Sequence, residues 1–513
     1  MKGFWIQDLA VVFGYAFCFF LWHGYQFGGG DQAEHLPWVL KEWDPTLYPG
    51  DYYLDFGNGG HFGVRTRYAR ALAALANPST LSWWCFGLTL VCAALGIWAV
   101  ILWSRALFPG QTIRGWLAPF FTHFVFFRYW SLGDNLIAEN SFISGTPALA
   151  AGLLSLALVN RQRWWMALWP ALVAGYFHPI VGFHLCTLVF FLLILARPSG
   201  WLWFLGFLAT TFFMVQYPFF VQASQNWAQD TAGCAGYSYE DYFIRFRLPH
   251  HFLMSTFPAS HYIKFGFLMA AFFAVHTLPP PSRSQRALAG AIAWAMVGCA
   301  LYYVATERIG IPSVFKTQWP KITIWLSAAA SIVLASWTEF QIRKSVSRPV
   351  IKSAVFAVVP AIILVRIVYA PAEIDWPWSS KNDALARAHR FIDTHTPKDA
   401  LFITDPANDR FSYEARRPLA TGYRAVWPDP YWTCSWFLGF SKAYFVAPDS
   451  LRKQRSRLRD LASRHFRQGL WQPQAGSSKA RYVLVADSVP HPWTMEALLL
   501  YRNESYAVWK LEQ

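Results

Sequence analysis

The chain has 513 residues, of which 55% are hydrophobic and only 14% charged, against about 25% charged in an average soluble domain. Its 28 Trp, 23 Tyr and 44 Phe add the amphipathic rings that collect at membrane–water interfaces. These figures exclude a disordered chain, a coiled coil and a small disulfide scaffold, and they predict an α-helical polytopic membrane protein. The net charge of +15 is accounted for by loop Lys and Arg that set topology and by a basic tail facing anionic lipid, so no nucleic acid is expected as a partner.

A membrane span needs about 20 mostly apolar residues. The first such stretch runs from Trp5 to Tyr25. Only Lys2 precedes it and no small-residue cleavage site follows, which reads as an uncleaved anchor. Further stretches lie near 81–104, 115–131, 143–159, 164–178, 179–196, 201–222, 259–278, 287–306, 320–338 and 350–370, giving about eleven spans. With the N-terminus cytoplasmic, the inside loops carry Arg105 and Arg114, Arg161 and Arg163, Arg197, Arg283 and Arg286, and Arg343, Lys344, Arg348 and Lys352. The odd number of spans delivers the tail to the outer face.

Residues 1–370 are thus expected to form the transmembrane domain, with a long first outside loop at 28–80. Residues 371–513 are expected to form a small extracytoplasmic α/β domain after a Pro371 and Pro377 linker. In that tail the pattern predicts helix Asp383–Asp393, strands Leu401–Thr404 and Arg417–Thr421, basic helix Ser450–Arg467, and strands Arg481–Ala486 and Tyr506–Leu511. The seven cysteines show no CxxC and no zinc spacing. Cys234 and Cys434 fall in outside segments, which leaves a disulfide between them open.

Costly polar residues gather at the outer ends of the spans, and such residues carry functional hypotheses by default. Gly28-Gly29-Gly30-Asp31-Gln32-Ala33-Glu34-His35 follows the first span. Asp31, Glu34 and His35 stand at i, i+3 and i+4, on one face of a helix. Asp31 suits a general base towards an acceptor hydroxyl; it equally suits an N-cap, with Glu34 completing a capping box. Asp134 and Glu139 offer a second carboxylate, to orient the acceptor or share a metal, or else form a solvated acidic loop. His178 ends the fifth span. Arg245 and Arg247 with His250 and His251 fit phosphate hydrogen bonding better than zinc, because adjacent histidines do not easily face one ion. Arg308, Lys316 and Lys321 put basic charge outside, as an anionic lipid head group would require. In the tail, Arg416 and Arg417 precede a strand, and Asp405, Pro406 and Arg410 suit a polar rim over the membrane site.

The layout, with Asp31-Gln32-Ala33-Glu34-His35-Leu36-Pro37 and Asp44-Pro45-Thr46-Leu47-Tyr48-Pro49-Gly50-Asp51, resembles the GT-C glycosyltransferases, and within them a group of uncharacterised bacterial membrane proteins. Phe177-His178-Pro179, Arg247-Leu248-Pro249-His250-His251 and Phe411-Ser412-Tyr413-Glu414-Ala415-Arg416-Arg417-Pro418 look similar to further blocks of that group. The resemblance implies transfer of a sugar from a polyprenyl-phosphate carrier to a glycan, lipid or protein acceptor at the outer face of the bacterial inner membrane. It maps the first-loop acidic residue, a catalytic base or metal contact, onto Asp31. Many members carry two adjacent acidic residues where this chain has Asp31-Gln32, so Glu34, Asp134 or Glu139 is the alternative partner, and a divalent cation is possible but not required. Cations stabilising the departing phosphate would be Arg308 and Lys316. Two other classes stay open: a polysaccharide polymerase or ligase, and a non-enzymatic lipid or glycan transporter, whose key charges belong mid-span.

Overall fold

The structure, a computed structural model, describes residues 2–55, 64–108, 114–128, 130–133, 135–196, 241–277, 282–315, 317–345, 349–379, 381–423, 430–447, 458–475, 478–489 and 497–512. The expected span 201–222, Asp134, Cys234, Glu240, Lys316 and the basic residues 452–457 lie outside them. Helices of eight residues or more, in chain order, are α1 (Lys2–His23), α2 (Gln32–Trp43), α3 (Val64–Leu75), α4 (Leu81–Leu107), α5 (Gly145–Asn160), α6 (Trp164–Phe177), α7 (Pro179–Ala196), α8 (Ala259–Thr277), α9 (Arg283–Tyr303), α10 (Thr323–Ser345), α11 (Pro349–Tyr369), α12 (Ala384–His395), α13 (Pro430–Ala443) and α14 (Leu458–Arg467).

The chain divides into two compact units. The first holds residues 1–26, 83–217 and 250–376; the second holds 27–82, 218–249 and 377–513. This differs from a division at residue 370, because the first loop folds with the tail and not with the spans.

Among the described residues, five stretches are long and apolar enough to cross a membrane: Ile6–His23, Leu81–Leu107, Pro179–Ala196, Arg283–Ile309 and Ser313–Lys344. Gly145–Asn160 and Ala357–Tyr369 are shorter apolar helices. The expected span at 115–131 is instead a short helix, Leu117–Phe120, that runs into a π-helical turn, Phe121–Val125. Large apolar side chains stay on the outside of the first unit, as lipid-facing positions require: Trp165, Trp169, Ile263 and Phe267 are each about two-thirds exposed. Inside, small residues bring helices close. A Cβ on Gly152 would stand 2.2 Å from the Trp325 ring, and one on Gly182 would stand 2.4 Å from Gly175 Cα. Two buried carboxylates within the unit are paired. Arg105 grips Asp8 through two bonds of 2.6 Å, and the fully buried Glu339 accepts from Arg343 at 2.8 Å and from the Arg114 N–H at 3.2 Å.

The second unit is built on a four-stranded sheet of β1 (Phe402–Thr404), β4 (Tyr482–Ala486), β6 (Tyr506–Leu511) and β5 (Ala497–Arg502), in that spatial order. A small hairpin, β2 (Gln474–Ala475) and β3 (Ser478–Lys479), stands apart from it. β1 runs parallel to β4; β4–β6 and β6–β5 are antiparallel. Alternate residues feed two cores. Ile403, Val483, Val485 and Ala507 join Trp436, Phe437 and Phe440 of α13 and Leu461 and Phe466 of α14. Phe402, Tyr482, Leu484 and Val508 join Ala388 and Ile392 of α12. Tyr242 and Phe246 complete the first core, and Tyr52 of the first loop packs against both. The tail alone would leave those surfaces wet.

One expected tail element changes: Arg417–Thr421 is not a strand but a single bridge, Leu419 to Phe402. α13, β2, β3 and β5 have no counterpart in the expected pattern. Cys434 is disulfide-bonded, whereas Cys18, Cys85, Cys92, Cys186 and Cys299 are free thiols.

Candidate functional site

The glycine run shapes the entry to α2. Gly28 and Gly30 hold positive φ of 74° and 58°, backbone that glycine alone adopts freely. The Gly28 N–H donates to the buried Gln32 Oε1 at 2.9 Å, and a Cβ on Gly28 would meet the Tyr413 ring at 3.1 Å. Asp31 follows at the N-cap position of α2, with helical φ and ψ and no side-chain capping bond. Its side chain is exposed.

No capping box forms either. Glu34 is ion-paired with Arg65 of α3, whose guanidinium also lies 5.7 Å over the Tyr53 ring. Burial works against the Arg65 charge, but Glu34 outweighs it and raises the Arg65 pKa. His35 is buried and donates from Nδ1 to the Asp31 carbonyl at 2.7 Å, edge-on to Tyr68. Burial, and then the Arg65 charge, lower its pKa. It is a neutral support for the Asp31 backbone.

Glu34 opens onto a small cleft between the first loop and the end of β1. The first loop contributes Glu34, Asp51, Tyr52 and Tyr53; the turn after β1 contributes Thr404, Asp405, Asn408 and Asp409; Thr421 and Tyr423 close it. The cleft therefore sits at the carboxyl end of a parallel strand, the usual place for ligands in α/β sheets. Asp51 Oδ1 accepts from the N–H groups of Tyr53 and Leu54 at 2.9 and 2.8 Å, and Oδ2 from that of Leu419 at 2.8 Å. Burial pushes its carboxyl up to about 6. Arg247, 4% exposed, lies behind Tyr423: its guanidinium stands 5.9 Å over that ring and 5.7 Å over Trp436. Burial lowers its pKa, with Glu34 the leading opposing charge. Beneath the turn, the buried His389 donates from Nδ1 to Glu414 at 2.8 Å. That leaves Nε2 to accept from Asn408 Nδ2 at 3.1 Å. Carboxylates, an amide, hydroxyls and tyrosine faces in one cleft suit a polyhydroxylated ligand.

The structure thus gathers Asp31, Glu34, His35 and Arg247 in one unit, with Asp405 and Pro406 on the cleft wall. Arg410 instead joins Asp383 and Glu414. Arg416 pairs with Asp393. Arg417 is buried, and its Nη2 donates to the Asp393 and Thr396 carbonyls, both at 2.6 Å; the pair forms a clamp inside the tail. Arg245 is exposed on the π-helical segment Asp241–Arg247.

Glu139, His178, His250, His251 and Arg308 belong to the first unit. There Glu139 is half-buried, and His178 ends α6, its Nδ1 accepting from the Val181 N–H at 3.4 Å. The His250 and His251 rings lie 4.2 Å apart, and Arg308 is exposed over Tyr303. Among the described residues no group of three or more His, Cys, Asp or Glu could hold a metal ion.

Sequence reasoning passed over Arg65, Asp51 and the aromatic seat of Arg247. Asp51 closes the quoted 44–51 block, which was the available signal; Arg65 offered none, because with Arg67 and Arg70 beside it it reads as one of a solvated basic run. A comparison with family models and with curated proteins finds no match for this chain.

Proposed function

We propose that the protein is a GT-C-type membrane glycosyltransferase that moves a sugar from a polyprenyl-phosphate carrier to an acceptor hydroxyl at the outer face of the bacterial inner membrane. The observation that carries this reading is the composition of the second unit. The first loop, the segment ending at Pro249 and the tail fold into one body around a polar cleft. Segments sharing one body lie on one side of a membrane, so the stretches between them must cross it an even number of times. The disulfide at Cys434 supports an oxidising compartment for that body.

In this reading Asp31, at a capping position yet without a capping bond, takes the acceptor proton as the acceptor oxygen attacks the anomeric carbon. The bond from that carbon to the phosphate oxygen breaks, and the polyprenyl phosphate leaves with the electron pair. Glu34, held by Arg65, orients the acceptor in the cleft.

The test is transfer from a polyprenyl-phosphate sugar by the purified enzyme. General-base catalysis contributes about 100- to 10,000-fold, so Asp31→Asn should lower transfer at least about a hundredfold with donor binding nearly unchanged. Asn caps a helix as well as Asp, so near-normal transfer would remove Asp31 from the chemistry.

A further inference from the structure

We infer that Arg128 and Arg366, on either side of His23, form a site for the phosphate of an anionic membrane lipid. The inference concerns the first unit alone and does not rest on the glycosyltransferase reading.

Three elements converge there. His23 is the last residue of α1, and its Nε2 donates to the His123 carbonyl at 2.8 Å. Its ring lies 3.9 Å from that of Phe127 and 6.3 Å from that of Trp22. The Arg128 guanidinium stands 5.6 Å over Phe127. The Arg366 guanidinium, from the last turn of α11, stands 5.6 Å over Trp22. Both arginines are within electrostatic reach of His23.

Their charge is uncompensated. Arg105 and Arg343 of the same unit are paired with Asp8 and Glu339; among the described residues, Arg128 and Arg366 have only the aromatic faces. Arg366 Nη1 is buried without a hydrogen-bond partner, a state that costs about 1–3 kcal/mol. Snorkelling would carry that nitrogen out to water, and a helix dipole accounts for a cation in a last turn but not for a second arginine from another element. A phosphate group satisfies both guanidiniums, while His23, whose Nε2 proton is taken by the His123 carbonyl, packs between their aromatic seats.

The flank of α11 selects a lipid over free phosphate. Leu364, Val365 and Val368 are more than half exposed around Arg366, which gives acyl chains an apolar surface beside the cations. In the sequence reading α1 and α11 both end at the outer face, where basic charge is disfavoured without a reason.

The test titrates the full-length protein in detergent with phosphatidylglycerol and with phosphatidylcholine of the same chains, and reads retained lipid by native mass spectrometry. Phosphatidylglycerol should be preferred, and each arginine should be worth about fivefold of that preference. Arg128→Gln alters only an exposed side chain and should cost about fivefold; the double variant with Arg366→Gln should abolish the preference. Wild-type preference in Arg128→Gln would overturn the site. Displacement of bound phosphatidylglycerol by stoichiometric inorganic phosphate would overturn the lipid assignment.

Discussion

The carboxylate of Asp51 accepts the backbone N–H of Leu419 at 2.8 Å across 368 residues of chain, and so ties the first loop to the edge of the tail sheet. The N–H groups of Tyr53 and Leu54 hold the other oxygen, and Tyr48 Oη and Tyr52 Oη reinforce the join by donating to the Ser412 and Gly422 carbonyls at 2.7 and 3.0 Å.

Burial raises the Asp51 carboxyl to about 6, above the unfolded value of about 3.9. Between those values the folded protein keeps a proton that the unfolded chain has released. This group's contribution to stability therefore falls as pH rises from about 4 to 6. Asp51→Asn should flatten that slope in thermal unfolding of the solubilised protein. It should also lower stability by about 1–3 kcal/mol, because an amide cannot accept all three N–H groups. An unchanged slope would remove Asp51 from the titration.

Arg417 has its guanidinium consumed by Thr396 and by the carbonyls of Asp393 and Thr396. Arg417→Gln should cost about 3 kcal/mol in unfolding, while folded protein binds carrier lipid as before. A wild-type melting midpoint with weakened lipid binding would return Arg417 to a substrate role.

The proposed topology is checked by cysteine labelling in intact cells. Lys398, 58% exposed in the second unit, should react as Lys398→Cys with an impermeant maleimide. Arg163→Cys, in the exposed turn between α5 and α6, should not. The reverse pattern would sink the outer-face assignment.

Much of the tail was legible from local pattern. Asp383 caps α12 by accepting the Ala386 N–H at 2.7 Å, and short apolar runs holding Val and aromatic residues mark β4 and β6. β5 escaped because Ala497-Leu-Leu-Leu-Tyr-Arg is leucine-rich, without a β-branched residue. The segment 417–421 was overread. Pro418 has no N–H to donate and Asp51 takes that of Leu419, so only Phe402 N–H to Pro418 O and Ala420 N–H to Phe402 O join it to β1. The cleft was half legible. Glu34 stood out beside its glycines, but its pairing with Arg65 and the Asp51 link depend on tertiary folding that no local period encodes.

The three-part build of the second unit sets a timetable for its biogenesis. The first loop is synthesised early, yet the sheet edge that receives Asp51 follows 368 residues later. At about 5–20 residues per second, that is roughly 20–70 seconds. Through that interval Tyr48, Tyr53 and Leu54, all buried at the end, stay in water without their cover. Maturation is therefore governed by the last strands to leave the ribosome, and a nascent chain stopped before β6 would hold an inserted helical bundle with an unfinished, protease-sensitive head.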